Sequence, residues 1–239
     1  MNQTRVQRRQ SIPLVVLILG AILSVVLAFA LASAHADPAS AGAAHAQANT
    51  GAVPARTAAQ NAFHDQMRKL WEDHVTWTRL AIVTFADGST GFNATAGRLL
   101  QNQTDIGDAI KPFYGDAAGN RLTALLGDHI TIAVEILKAA KAGDTTAFNA
   151  ANTRWYANGN DIADFLAAAN PRSWPDDVMR VDMKTHLDQT LAEAGHELHG
   201  EYSASVTDYE GIHAHILMMA DQLSAGIIAQ FPSRFRPIS

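Results

Sequence analysis

From Thr57 onward, polar and apolar positions alternate with the period of a helix. In "KLWEDHVTWTRLAI", residues 69 to 82, Leu70, Trp71, His74, Thr78, Ala81 and Ile82 share one face. Phe63, Met67 and Phe85 extend that stripe, so the pattern predicts a first helix over about 57–86, ended by "DGSTG". A second is predicted over 93–111, stopping before Pro112, and a third over 117–142, stopped by Gly143. Asp144 is placed to cap a fourth over 145–168. A fifth over 176–199 and a sixth over 203–230, ending before Pro232, complete the pattern. No alternating run bounded by turn residues argues for a strand. The expected fold is all-α: a six-helix bundle of helical hairpins over residues 57–235.

The hairpins look like copies of one another. "LLQNQTDIGDAI", 99 to 110, aligns with "WYANGNDIADFL", 155 to 166, bringing Asn102 onto Asn158 and Asp105 onto Asp161. Upstream, "WEDHVTWTRLAI" aligns with "LGDHITIAVEIL", bringing His74 onto His129. A fainter third copy places His186 four residues before Thr190, as His74 precedes Thr78. In that copy "LMMADQLSAGI" puts Asp221 at the aspartate position and Met218 at the asparagine position.

The odd residue in each apolar stripe is the histidine. A neutral imidazole is satisfied in a core when one nitrogen donates and the other accepts. Three equivalent histidines pointing into one interior, each with a following aspartate, cost several kcal/mol unless mutually satisfied. One solution is a buried His/Asp polar network that fixes register. The other is a metal ion held by His74, His129 and His186 with Asp105, Asp161 or Asp221, and a sulfur-free set of this kind suits zinc, copper, iron or manganese alike. A third occupant is a small organic ligand, for which Asn102 and Asn158 are the expected binding amides. Glu193–His196 and Glu210–His213 carry the Glu-x-x-His spacing of di-iron bundles, but Glu72 and Glu135 are the only other glutamates available, and Glu72 lies off the apolar face. There is no phosphate loop, dinucleotide glycine pattern, Gly-x-Ser-x-Gly or His-Glu-x-x-His, so nothing points to an enzyme.

Composition fixes the compartment. "RVQRR", the apolar run 12–32 and "AHA" at 34–36 form a signal peptide cleaved after Ala36 or an uncleaved membrane anchor over 1–36. Residues 37–56 read as a flexible Ala, Gly, Pro and Ser-rich linker, and the remainder as extracytoplasmic. The 239 residues contain no cysteine, which excludes disulfides and thiolate sites. Without the three leader arginines, 15 basic residues face 23 acidic ones, a net charge of −8 that argues against nucleic acid. The membrane, through the leader, is the only partner the sequence indicates.

Residues 63 to 235 resemble a family of bacterial helical-bundle proteins of uncertain function. The carrying stretches are "LWEDHVTWTR", "RLLQNQTDIGDAI", "PFYG", "LLGDHITIA", "KAAKAGD", "RWYANGNDIADFLAAANP" and "HILMMADQLSAGIIAQFP". Members often carry the labels glycosyltransferase or kinase, yet an all-helical pattern lacks the sheet such enzymes are built on. The resemblance implies that the His and Asn-x-x-Asp positions belong to the family signature, from which "MMAD" departs.

Export is testable directly. N-terminal sequencing of the mature protein should begin at Asp37, or the intact chain should fractionate with membranes; full-length chain in the cytosol would refute both.

Overall fold

The structure, a computed structural model, describes residues 56–236; the expected leader and all but the last residue of the linker lie outside them. Five α-helices follow one another: α1 Ala58–Ala86, α2 Phe92–Ala142, α3 Thr145–Ala169, α4 Asp176–Leu198 and α5 Tyr202–Gln230. A 3₁₀ turn, Pro232–Phe235, closes the fold, and there is no strand among the described residues. The all-α expectation holds.

The helix count differs from six because Pro112 does not end its helix. Pro112 lacks one backbone donor but sits within α2, and the chain leaves helical geometry only at Gly115, where φ is 83° and ψ 167°. Side chains rarely adopt that φ, so a glycine serves there. The two arms of α2 then fold back on each other. A Cβ added to Gly107 would stand 2.6 Å from the Gly119 carbonyl oxygen and 2.0 Å from Thr123 Oγ1. The arms touch backbone to backbone because neither glycine has a side chain.

Caps fix the other boundaries. Thr57 and Gln60 form a reciprocal capping box at the start of α1, through bonds of 3.2 and 2.8 Å. Asp144 accepts from the Ala147 amide at 2.9 Å, as the sequence predicts. In the link before α4, Asn170 donates to the Gly226 carbonyl at 3.0 Å and accepts from the Ser173 amide at 3.2 Å, tying the loop to α5.

Each helix packs on the next, and α5 packs back on α1, so the bundle closes into a ring. Its interior is filled by Met67 and Trp71 from α1, Ile106 and Leu126 from α2, Trp155 and Ile162 from α3, Leu187 from α4 and Ile216 from α5. One end is sealed by aromatic rings: Phe63, Phe231 and Phe235 all pack on Phe113, with ring centres 5.0, 5.6 and 5.5 Å away. α5 is long and apolar enough to cross a membrane, with a mean hydropathy of 1.2 over its most apolar stretch. Ile212, Ile216, Met219, Leu223 and Ile227 are buried in the bundle, which accounts for that composition.

The Gly107–Gly119 crossing should tolerate no side chain. Gly107→Ala should lose about 1–3 kcal/mol in denaturant unfolding. Gly97→Ala, on α2 with nothing within 4 Å of the added carbon, should gain up to about 1 kcal/mol. Equal effects of the two would contradict this packing.

Candidate functional site

His74 on α1, His129 on the second arm of α2 and His186 on α4 meet in the interior, 3%, 3% and 5% exposed. The His186 ring centre lies 5.7 Å from that of His74 and 6.4 Å from that of His129. Trp71 meets His74 edge-on at 5.8 Å, and Trp155 stacks on His129 at 5.0 Å. The Thr78 and Thr190 hydroxyls each donate to the carbonyl of the histidine one turn earlier, at 2.7 and 2.8 Å. An apolar cavity of about 50 Å³ lies one turn beyond, lined by Thr78, Ala81, Leu99, Trp155, Thr190 and Ala194 among others.

One hydrogen bond recurs at all three histidines. Asn102 donates to the Leu70 carbonyl at 3.0 Å, and Asn158 donates to the Leu125 carbonyl at 3.1 Å. His215 Nε2 donates to the Asp182 carbonyl at 3.0 Å. Leu70, Leu125 and Asp182 each lie four residues before the buried histidine of their helix. The donor comes 28, 29 and 29 residues after that histidine. His215, not Met218, therefore occupies the third asparagine position. Met218 is 44% exposed.

The three aspartates do not join the histidines. An aspartate three residues after an inward asparagine is rotated off the buried stripe, which continues at the fourth residue. Asn102 is 0% exposed and is followed inward by Ile106; Asn158 is 7% exposed and is followed by Ile162. Asp105 instead lies 3.4 Å from Arg98, and Asp161 is exposed. Asp221 faces outward, paired with Arg68 at 2.7 Å and His64 at 2.8 Å. Among the described residues, no group of three or more His, Asp or Glu side chains is arranged to hold a metal ion. Glu72 and Glu135, the glutamates a di-iron site would have needed, also point out, since Glu72 pairs with His213 at 2.9 Å and Glu135 with Arg154.

The polar atoms of the layer are unevenly satisfied. Asn158 spends its amide on Leu125, so its oxygen accepts, and His129 Nδ1–H donates to it at 2.9 Å. That bond leaves a lone pair on His129 Nε2. Gln103 donates to the Leu99 carbonyl at 2.7 Å, and its amide nitrogen lies 3.3 Å from His74 Nδ1. At the position equivalent to Gln103 the second hairpin has Gly159, where an added Cβ would meet Leu187 at 3.1 Å. His186 Nδ1 is fully buried and has no hydrogen-bond partner among the described residues.

A second buried polar group went unread in the sequence. Arg79 donates to Glu193 at 2.7 Å and to the Ser205 hydroxyl at 3.0 Å; that hydroxyl donates to Glu197 at 2.6 Å. Glu193 is 1% and Glu197 5% exposed. The available signal was their four-residue spacing in "EAGHE", which puts both on one face. Burial pushes Glu193 up to about 7, opposed by Arg79 and assisted by Asp208 and Glu197.

Comparisons with protein-family models, curated proteins and solved structures return no match.

Burial holds the imidazoles neutral. It pushes His74 down to about 3, helped by His129 and opposed by Gln103. It pushes His129 down to about 4, opposed by the Asn158 bond. His186 is driven well below 6.5 by burial, then by His74, His129 and His215. Folded values below 6.5 mean that the unfolded chain binds more protons in acid, so this stability is complete above pH 6.5 and lost as pH falls. Glu193 has the opposite sign, favouring the fold below its ordinary 4.5 and losing that contribution as pH rises toward 7. Between pH 4.5 and 6.5 the three rings and Glu193 act in opposite directions, and the rings, being three against one, prevail. Unfolding free energy should fall from pH 6.5 to 4.5, and His186→Met should make that fall shallower. A flat profile for the unaltered protein would contradict the buried layer.

Proposed function

We propose that this chain is an extracytoplasmic metal-binding bundle whose site centres on His186, within the His74–His129–His186 layer. One observation carries the reading. A closed structural network would pair every buried nitrogen, and His186 Nδ1 is buried without a partner. The layer also offers neutral imidazoles, the form that ligates metal, and Asn158 already holds the far side of the His129 ring in the manner of an outer-shell partner. The recurrence of one carbonyl hydrogen bond at three histidines supports reading the domain as three copies of one hairpin, a six-rod bundle if the arms of α2 are taken separately. The basic and apolar leader supports export, with or without a retained anchor.

A second reading has its own support: a polar layer that only sets helix register. His74 and His129 both have amide partners, and the side chains as they stand do not converge on a metal.

Metal content separates the two. Purified protein reconstituted with zinc or copper and freed of excess should retain about one ion per chain by elemental analysis, and His186→Ala should retain none. Retention of no ion by the unaltered protein, with a stability loss alone in His186→Ala, would establish the register-setting layer instead.

A further inference from the structure

Three faces of the histidine layer are closed. Trp71 and Gln103 cover His74, Trp155 and Asn158 cover His129, and the apolar cavity lies beyond. The fourth face, between α4 and α5, is different. Asp182, His186 and Gln189 stand at i, i+4 and i+7 on α4 and so share one face. Each carries a buried polar atom without a partner: Asp182 Oδ2, His186 Nδ1 and Gln189 Oε1. Across from them on α5, His215 bonds the Asp182 carbonyl through Nε2, and Gly211 leaves room for Gln189. Three buried polar atoms without partners among the described residues lie on one seam, one of them on an imidazole 95% removed from solvent; two are oxygen acceptors, and the third accepts when His186 carries its proton on Nε2.

The geometry points to a divalent transition-metal site on this seam, with Asp182 Oδ2, His186 Nδ1 and the free Nδ1 of His215 as its protein ligands. This assignment rests on the metal-binding reading above and moves the ion from the centre of the layer to its α4–α5 edge. Chemistry favours the edge. The centre offers only neutral rings, and a dication there has no countercharge, whereas Asp182 supplies a carboxylate. An Asp and a His four apart on one helix, with a His from the facing helix, make a mixed nitrogen and oxygen set of the kind zinc and cobalt accept. The Asp182 carbonyl already bonds the far nitrogen of His215, which orients that ring as outer-shell carbonyls do in metal sites. As they stand the three side chains are not arranged around one metal position, so binding requires half-buried Asp182 and His215 to close on buried His186.

His215→Asn is the informative variant. It places at 215 the residue found at 102 and 158, keeps a donor for the Asp182 carbonyl, and removes the imidazole. Full-length protein purified in detergent would be titrated with Co²⁺, following the absorption of the bound ion, with thermal unfolding of each variant as the check on folding. The unaltered protein should bind one Co²⁺. Asp182→Asn and His215→Asn should each bind at least about tenfold more weakly, and Glu135→Gln, at the outward ion pair with Arg154, should keep the unaltered affinity. Unchanged binding by folded Asp182→Asn and His215→Asn would overturn the seam site, and loss in His129→Asn instead would place the ion at the centre of the layer. No Co²⁺ binding by the unaltered protein would overturn the metal-binding reading itself, and the seam site with it.

Discussion

A buried imidazole can be accommodated, but a buried imidazolium surrounded by other imidazoles cannot. Much of this bundle follows from that constraint. Burial keeps His74, His129 and His186 neutral, with repulsion from neighbouring rings adding to it at His74 and His186, and a neutral ring has one donor and one acceptor to place. The interior supplies amides rather than carboxylates: Asn158 for His129 and Gln103 for His74. A carboxylate at either place would favour the charged ring. Asn158 also bonds a carbonyl on the neighbouring helix one turn before His129, and Asn102, next to Gln103, does the same before His74, which ties the polar layer to helix register.

Crossing geometry follows from the same level. The arms of α2 must approach closely for one arm to carry Asn102 and Gln103 to His74 while the other carries His129. Gly107 and Gly119 permit that approach, and Gly115 turns the chain. Thus three glycines spread over thirteen residues set the distance between two members of the polar layer. The aromatic seal of Phe63, Phe113, Phe231 and Phe235 closes one end and is separate from this device.

The periodicity of the chain already contained the helical segments, the Asp144 cap and the inward phase of each histidine, because all three are properties of spacing along one helix. What it did not contain was phase between helices. Asp105 and Asp161 sit beside inward asparagines in sequence, yet one hundred degrees per residue carries them off the stripe. Asp221 was aligned by resemblance of letters, whereas the fixed distance of about 29 residues from the histidine selects His215. Pro112 reads as a stop, but a proline removes only one donor, and the break waited for a residue able to take positive φ. The Arg79, Glu193, Glu197 and Ser205 group joins α1, α4 and α5, and no local pattern announces a contact among three helices.

On the proposed reading of three hairpin copies, the copies differ beside each histidine. In the first hairpin Gln103 fills the space beside the ring, and in the second Gly159 opens it so that Leu187 can pack while Asn158 takes the imidazole directly. In the third, a histidine replaces the amide. An asparagine at 215 would hold the Asp182 carbonyl equally well and would also offer His186 an oxygen. The imidazole holds the carbonyl, offers His186 no amide oxygen, and brings a second titratable ring to a seam that already has an unpaired carboxylate oxygen. Each unpaired buried polar atom costs about 1–3 kcal/mol. The first hairpin bears that cost at Trp71, Arg98 and Gln103, spread over two helices, whereas the third bears it at Asp182, His186 and Gln189 on one helix face, where the proposed cation would meet Asp182 and His186.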